Sequence, residues 1–160
     1  MKYFFKFILL SFAVIIGYSC SNDETCRKNK YVRLQVSLYK VSLNPTNNTF
    51  VTAAWNVDSI TVQGVGVDSV LYKNSKKINL LSLNLNKIVR KTAYQLNINK
   101  IKDTLTIYHT NVTEFLSLEC GCLKVYSIDS ATVTNHSIDS IKVINHQVNT
   151  DNATNIRIYN

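Results

Sequence analysis

The chain has 160 residues, with 18 Lys and Arg against 10 Asp and Glu, and a formal net charge of +8 at pH 7. This length suits one domain, and an apolar content of 46% is enough to build a core. The basic residues fall in polar stretches without interleaved aromatic side chains, which favours solvated faces or contact with lipid headgroups over a nucleic-acid groove. We therefore expect no nucleic-acid partner.

The N-terminus has the pattern of a secretory signal peptide. Lys2 and Lys6 precede an apolar run from Phe7 to Ile16. This run is too short to cross a bilayer, which takes about 20 apolar residues. We predict that residues 1–19 are a signal peptide that is removed.

Cys20 follows Gly17-Tyr18-Ser19, a lipobox-like sequence with small residues at its first and third positions. It departs from the usual pattern at Gly17, where a leucine is common. We predict cleavage before Cys20 and attachment of fatty-acyl chains such as palmitate to this cysteine, because two or three chains hold a protein on a membrane. The alternative is ordinary cleavage, with Cys20 as a structural thiol.

Residues 20–30 would then be the lipidated cysteine and a tether, and residues 31–160 a β domain. The segment Ser21-Asn22-Asp23-Glu24 resembles the serine-plus-acidic export signal that sends lipoproteins of the Bacteroidota to the outer face of the outer membrane. This resemblance covers four residues. It implies a lipid-anchored protein of the outer membrane and leaves the choice of leaflet, and so exposure at the cell surface, open.

Three further cysteines, Cys26, Cys120 and Cys122, would enter a compartment that permits disulfides. We favour a bridge from Cys26 to Cys120 or to Cys122, because closing a loop of roughly 100 residues constrains the unfolded chain by up to 4.7 kcal/mol. Cys120 and Cys122 would share a face if Gly121 were extended, so the sequence does not choose between them. The alternatives are a redox-active Cys120–Cys122 pair, which lacks a surrounding thioredoxin-like pattern, and a zinc site, which lacks a second ligand pair.

From Tyr31 onward, apolar and polar residues alternate with the period of two that predicts half-buried β-strands. In the first strand, Val32, Leu34, Val36 and Leu38 fall on one face. The alternation recurs at 60–62, 67–71, 78–85, 94–98, 105–108, 115–118, 123–128, 141–144 and 156–158. Short strands at this spacing predict an all-β fold, a single antiparallel β-sandwich or partly open barrel.

Residues 127–136 and 137–146 are two copies of a ten-residue repeat with seven identical positions. Each copy is long enough for a strand and a turn, so we expect the copies in neighbouring strands of a meander. The repeat places His136 and His146 at equivalent positions. A metal site is disfavoured, because His109 lies in another strand and no acidic ligand is positioned by the pattern. We expect hydrogen-bonded histidines at turns or strand ends, with no metal and no cofactor.

Several features carry a resemblance to a known family. They are Glu119-Cys120-Gly121-Cys122, the Ile-Asp-Ser segments at 128–130 and 138–140, the ending Asn155-Ile156-Arg157-Ile158-Tyr159, and Cys26 just inside the mature start. Together they resemble a family of small uncharacterised lipoproteins of the Bacteroidota. The likeness covers most of the mature chain, although only the Glu-Cys-Gly-Cys and Ile-Asp-Ser segments are distinctive. It implies an envelope lipoprotein and carries no assigned activity, so no functional residue is transferred.

Five of the seven aspartates precede Ser or Thr and then an apolar residue. The hydroxyl residues are Ser59, Ser69, Thr104, Ser130 and Ser140. This pattern resembles the acceptor sequence of the general O-glycosylation system of the Bacteroidota, in which the hydroxyl is the attachment atom. Asp-Ser also starts strands, because the Asp side chain bonds the backbone two residues on. A glycan must face solvent, so we expect at most some of these sites to be used.

An enzyme would need convergent acid, base or nucleophilic groups, and the three histidines are scattered, so we expect no catalysis. The predicted function is that of a lipid-anchored envelope protein, a binding protein or accessory subunit with an envelope protein as partner. A surface glycan-binding module is the first alternative, with Trp55 as a stacking face unless it fills the core. A pilus-like structural subunit is the second, with the strand through Ile156 and Ile158 as a weak donor strand.

Overall fold

The computed structural model describes residues 31–118 and 120–160. The predicted signal peptide, the lipidation site Cys20, the tether and Cys26 lie outside these residues. The described residues form eleven strands and no helix. The strands are β1 (Leu34–Asn44), β2 (Thr49–Ala54), β3 (Ile60–Gly64), β4 (Val70–Ser75), β5 (Leu80–Leu83), β6 (Lys91–Ile98), β7 (Ile101–Ser117), β8 (Gly121–Val133), β9 (Ser140–Val143), β10 (Gln147–Val148) and β11 (Ile156–Tyr159). The predicted all-β class is confirmed.

These strands form two sheets around one core. The first sheet has the order β2-β1-β11-β9, and β5 also pairs with β1. The second sheet has the order β10-β8-β7-β6-β3-β4. Neighbouring strands are antiparallel, except that β1 and β11 run parallel, with Val36 opposite Ile156. The result is a mostly antiparallel, curled sandwich, as predicted.

The core is built from the inward-facing positions of both sheets. Along β6, Tyr94, Leu96 and Ile98 are buried while Gln95 is exposed, which is the pattern that the period of two requires. The largest fully buried side chains come from both sheets: Leu34, Leu38, Ile60, Leu81, Leu83, Leu96, Ile98, Leu105, Ile107, Ile128, Ile138 and Ile156. Burying one such side chain stabilises the fold by about 1.5–3 kcal/mol.

A two-residue turn joins β6 to β7. Ile98 and Ile101 face each other, and Asn99 and Lys100 between them have φ of 49° and 74°. Two left-handed residues in succession give the turn whose twist matches that of antiparallel strands, and Asn adopts this conformation readily. The turn fixes the register of β6 on β7, the longest of the described strands.

The predicted strands differ from the observed ones in three places. Segment 105–108 and residues 115–117 of segment 115–118 belong to the one long strand β7, which ends before Leu118. Strands β2 and β10 were not predicted. Every residue of β2 is exposed and its sequence carries no alternation, and β10 has only two residues. The strand predicted at 67–71 starts only at Val70, since Gly66, with a φ of 77°, places a turn before it.

The prediction for the two repeat copies was wrong. The first copy lies in β8 of the six-stranded sheet, while the second supplies β9, which pairs with β11 in the other sheet. The chain crosses between the sheets at residues 134–139, so the copies do not form a meander. Ile128 and Ile138, at equivalent positions of the repeat, are both buried in the shared core.

Strand β1 runs between two ends of the sandwich. Its start lies beside the end that we call the hairpin end, formed by residues 84–91 and the tip of the β7–β8 hairpin at 112–124, of which Glu119 is not described. Its last residues pair with β2 in a two-stranded ribbon, residues 40–54, which we call the arm. At about 3.3 Å per residue, the eleven residues of β1 separate the two ends by roughly 30 Å.

Candidate functional site

One buried carboxylate organises the crossing between the sheets. Asp103, in β7, is 1% exposed and accepts hydrogen bonds from the hydroxyls of Thr134 (2.9 Å) and Ser137 (2.9 Å). It also accepts the backbone N–H groups of His136 (2.9 Å) and Ser137 (2.8 Å). These bonds fasten the 134–139 segment to the start of β7.

Burial alone would raise the pKa of Asp103, but the hydrogen bonds from His136, Ser137 and Thr134 outweigh it and lower the pKa to about 2. The carboxylate is therefore ionised at neutral pH. His136 Nδ1 lies 3.2 Å from Asp103 Oδ1, and the His136 ring is otherwise exposed.

This Asp-His-Ser cluster does not have the arrangement of a hydrolytic triad. A triad requires the serine hydroxyl to bond the histidine that will take its proton. Here the Ser137 hydroxyl donates to Asp103 instead. The cluster can hold a turn in place, and its geometry gives it no nucleophile.

A second polar cluster lies at the base of the hairpin end. His109 is fully buried, with Nε2 2.8 Å from the Thr92 hydroxyl and Nδ1 2.7 Å from Asn111 Oδ1. Asn111 Nδ2 donates to the Asn86 carbonyl at 3.2 Å, and the Asn86 N–H donates to the Thr92 hydroxyl at 2.8 Å. The three side chains and the Asn86 backbone thus close a ring, which ties the loop at Asn86 to β6 and β7.

The ring fixes the histidine tautomer. Because the Asn111 amide nitrogen donates to Asn86, its oxygen is the acceptor for His109 Nδ1–H, and Nε2 accepts the Thr92 hydroxyl. Burial lowers the pKa of His109, against smaller raising effects of the Asn111 hydrogen bond and the Asp129 charge. Tyr126 packs edge-on against the ring, at 5.4 Å between centroids. His109 is therefore a neutral, hydrogen-bonded core residue.

His146 is also hydrogen-bonded, with Nδ1 2.5 Å from the Ile128 carbonyl oxygen. The three histidines lie in separate networks. Among residues 31–118 and 120–160, no group of three or more His, Cys, Asp or Glu side chains is placed to hold a metal ion.

The two described cysteines differ in chemical state. Cys122 is a free, exposed thiol. Cys120 is not a free thiol. Gly121 has a φ of 72°, so the backbone is not extended there, and the condition under which Cys120 and Cys122 would share a face is not met. The free thiol of Cys122 disfavours the redox pair, and the bridge to Cys26 stays a prediction, since Cys26 lies outside the described residues.

The hairpin end carries exposed apolar side chains beside basic ones. Ile88 is 90% exposed and Leu118 93%, with Phe115 at 65%. A cleft of about 270 Å³ opens below them, and Lys87 and Lys124 are among its lining residues. The start of the described chain, residues 31–33, lines the same cleft.

The arm is the second exposed apolar surface. Cross-strand pairs put Leu43 opposite Phe50 and Val41 opposite Thr52, so these side chains share one face. Phe50 is 78% exposed. Lys40 is the one charged side chain of residues 40–54. Few natural surfaces combine this exposure with so little charge unless they bind something.

Other predicted binding features are used within the fold. Trp55 packs against the core, which favours its reading as a core residue over a glycan-stacking face. The strand through Ile156 and Ile158 is β11, which pairs with both β1 and β9 in its own sheet. It is therefore not a free donor strand.

The five predicted glycosylation positions differ in exposure. Ser69 is exposed in the loop before β4, and Ser130 and Ser140 are exposed on strands. Ser59 is half-buried. Thr104 is also half-buried, and the carboxylate of its neighbour Asp103 already accepts a hydrogen bond from the backbone of Ser137. Ser69 is thus the position that an enzyme reaches most easily.

Comparison with known proteins gives the family without an activity. No helix among the described residues is long and apolar enough to span a membrane. No curated protein and no solved structure matches the chain. The sequence model of a family of unknown function (DUF6452) matches residues 59–160, which is more than half of the chain. The chain therefore belongs to that family.

Proposed function

We propose that this protein is a non-catalytic lipoprotein of the outer membrane, anchored through Cys20, that binds another envelope protein through the arm. The exposed apolar face of the arm carries the proposal. Two-stranded ribbons are at best marginally stable in water, and the arm presents Val41, Leu43 and Phe50 without a covering element. A bound partner would cover this face.

The charge of the arm indicates what kind of partner fits. The cores of protein interfaces are depleted of charged residues and enriched in aromatic ones. The arm has Lys40 as its charged residue, and Phe50 is the most exposed apolar side chain of its Val41–Leu43 face. A lipid headgroup or an acidic glycan would call for basic side chains that this surface lacks.

The arm also offers a strand edge. Strand β2 pairs with β1, and no other described strand pairs with it. Its N–H and C=O groups on the far side are thus available to a strand of the partner. We propose that the partner adds an extended segment along β2, with its apolar side chains over the Phe50 face.

The test is cross-linking in intact envelopes followed by affinity purification. Phe50→Ser and Leu43→Ser remove apolar contacts from the proposed binding face, while Val51→Ser is the matched control on the other face of the same ribbon. Truncation of an interface hot spot costs about 2 kcal/mol or more, roughly thirty-fold in affinity. Loss of one stoichiometric partner with Phe50→Ser and Leu43→Ser, but not with Val51→Ser, is the expected result.

Two results would contradict the proposal. The first is a partner that all three variants retain equally, because the arm would then not be the binding surface. The second is a product containing only a second copy of this chain, since the arm would then be a self-association surface.

A further inference from the structure

The hairpin end combines features that a surface resting on a lipid bilayer requires. Ile88, Val89, Phe115, Leu116 and Leu118 are exposed apolar side chains. The sequence of residues 84–91 and 112–124 contains four basic residues, Lys87, Arg90, Lys91 and Lys124, and two acidic residues, Glu114 and Glu119. Apolar tips ringed by basic residues are typical of proteins that lie in the interface of an anionic membrane.

The apolar tips are held in place by the fold. Asn86 Oδ1 accepts the backbone N–H groups of Ile88 (2.8 Å) and Val89 (3.1 Å), which closes a turn and leaves both side chains outside. The hydroxyl of Tyr94 donates to the carbonyl of Asn84, inside the same loop. These bonds order the loop and direct its apolar side chains away from the core. Ile88 and Val89 are therefore exposed because the turn holds them outside, and not because the loop lacks contacts.

The second loop of this end is part of the same unit. The backbone N–H of His109 donates to the Arg90 carbonyl at 3.0 Å, and Asn111 bonds Asn86. Beyond Asn111, β7 leaves the core, and the residues from Val112 to Leu116 are exposed. The β5–β6 loop and the β7–β8 hairpin therefore project together from one end.

The position of the tether determines at which end of the domain the anchored chain enters. The described chain begins at Tyr31, and Tyr31, Val32 and Arg33 line the cleft with Lys87 and Lys124. Ten residues lie between Cys20 and Tyr31, which makes eleven residue-to-residue steps, so the tether reaches at most about 37 Å when fully extended. The arm lies at the other end of β1. The anchor of a chain lipidated at Cys20 thus joins the domain at its hairpin end, and the arm lies roughly 30 Å from that attachment.

We infer that the hairpin end seats on the bilayer, with Phe115, Leu118 and Ile88 in the acyl-headgroup boundary and Lys87, Arg90 and Lys124 against anionic headgroups. This inference rests on the lipid anchor of the proposed function. The occupant is an anionic lipid surface. Seating fixes the orientation of the domain and points the arm away from the membrane, toward its protein partner.

The experiment uses the purified lipidated protein on vesicles of phosphatidylcholine and phosphatidylglycerol whose acyl chains carry bromine, which quenches tryptophan on contact. Phe115→Trp places a reporter at the hairpin end, and Phe50→Trp is the matched control on the arm. The chain contains a single tryptophan, Trp55, whose signal in the unsubstituted protein is subtracted. Leu118→Trp is a second reporter at the hairpin end.

Seating predicts that the emission of Phe115→Trp and Leu118→Trp shifts to shorter wavelength and is quenched, while that of Phe50→Trp does neither. Quenching of Phe115→Trp should weaken on vesicles of phosphatidylcholine alone, and in the added presence of Lys87→Glu and Lys124→Glu. Equal quenching in all these conditions would overturn the role of the basic residues.

Protein that floats with the vesicles but shows no quenching at positions 115 and 118 would overturn the seating while leaving the anchor intact. Quenching at both ends would also overturn it, because the domain would then lie on its side. Protein that does not float with the vesicles would overturn the anchor as well, so the two failures are distinguishable.

Discussion

His109 Nε2 lies 2.8 Å from the Thr92 hydroxyl in the interior of the sandwich, and this contact closes the hydrogen-bonded ring beneath the hairpin end. The ring joins β6, β7 and the loop at Asn86 without a charged group. Buried polar networks of this kind are stabilising only when every member is satisfied. The contact therefore determines whether the hairpin end is held as one unit.

Thr92→Val should lower the free energy of unfolding by about 1–3 kcal/mol, because valine keeps the shape of threonine but leaves His109 Nε2 buried without a donor. The measurement is denaturant unfolding. Thr106→Val is the matched control, since Thr106 is half-buried on the neighbouring strand and its hydroxyl makes no hydrogen bond to a described residue. Equal midpoints for the two variants would show that the ring does not hold the fold.

Acid should unfold the protein partly through Asp103. Its pKa is lowered from 3.8 to about 2 in the fold, so its carboxylate favours the folded state fully above pH 4 and loses this effect as the pH falls toward 2. The linkage amounts to about 2 kcal/mol. Asp103→Asn should remove this part of the pH dependence, as measured by the free energy of unfolding at several pH values between 2 and 5.

Asp139→Asn is the control for that series, because Asp139 is an exposed carboxylate of the same crossing segment. It should keep the acid dependence of the parent protein. If Asp103→Asn keeps it too, the low pKa of Asp103 is not a source of stability.

The disulfide prediction now has one favoured pairing. Since Cys122 is a free thiol, we predict that peptide mapping without reduction finds Cys26 joined to Cys120, and that Cys122 reacts with a thiol reagent. Cys26→Ser should lower the melting temperature, because a closed loop of roughly 100 residues restricts the unfolded chain. A peptide in which Cys120 is joined to Cys122, with Cys26 free, would refute this pairing.

The alternation of apolar and polar residues was sufficient to predict the all-β fold class and most of the core. In β1, Leu34, Val36 and Leu38 are buried as predicted, because a strand with one face on the core repeats every two residues. The arm was missed for the same reason. Both faces of β2 are exposed, so its sequence has no pattern that burial imposes.

The polar clusters could not be predicted, because long-range pairing creates them. Thr92 and His109 meet only through the register of β6 on β7, which places Thr92 opposite Ile107. The contact of Asp103 with Ser137 depends on a crossing between sheets that the repeat did not reveal. The conformation of Gly121 was also not evident, since glycine permits extended and left-handed backbone alike.

O-glycosylation is expected first at Ser69. It follows Asp68, is exposed and lies in a loop, so an enzyme can reach the hydroxyl without opening the sheet. Mass spectrometry of peptides from the native envelope should find a glycan on Ser69 that Ser69→Ala removes. Thr104→Val should leave the glycan mass unchanged, and a glycan found on Thr104 but not on Ser69 would contradict this order.

The lipid anchor is the central claim, and mass spectrometry of the N-terminal peptide of membrane-extracted protein tests it most directly. We predict a chain that starts at Cys20 and carries a diacylglyceryl group on its sulfur, with residues 1–19 removed. Cys20→Ala should give an unprocessed precursor or a soluble protein, and a carbonate wash should remove the mutant from membranes once its signal peptide is cleaved. An N-terminus at another residue, or an unmodified Cys20 on a protein that stays with membranes, would contradict the account.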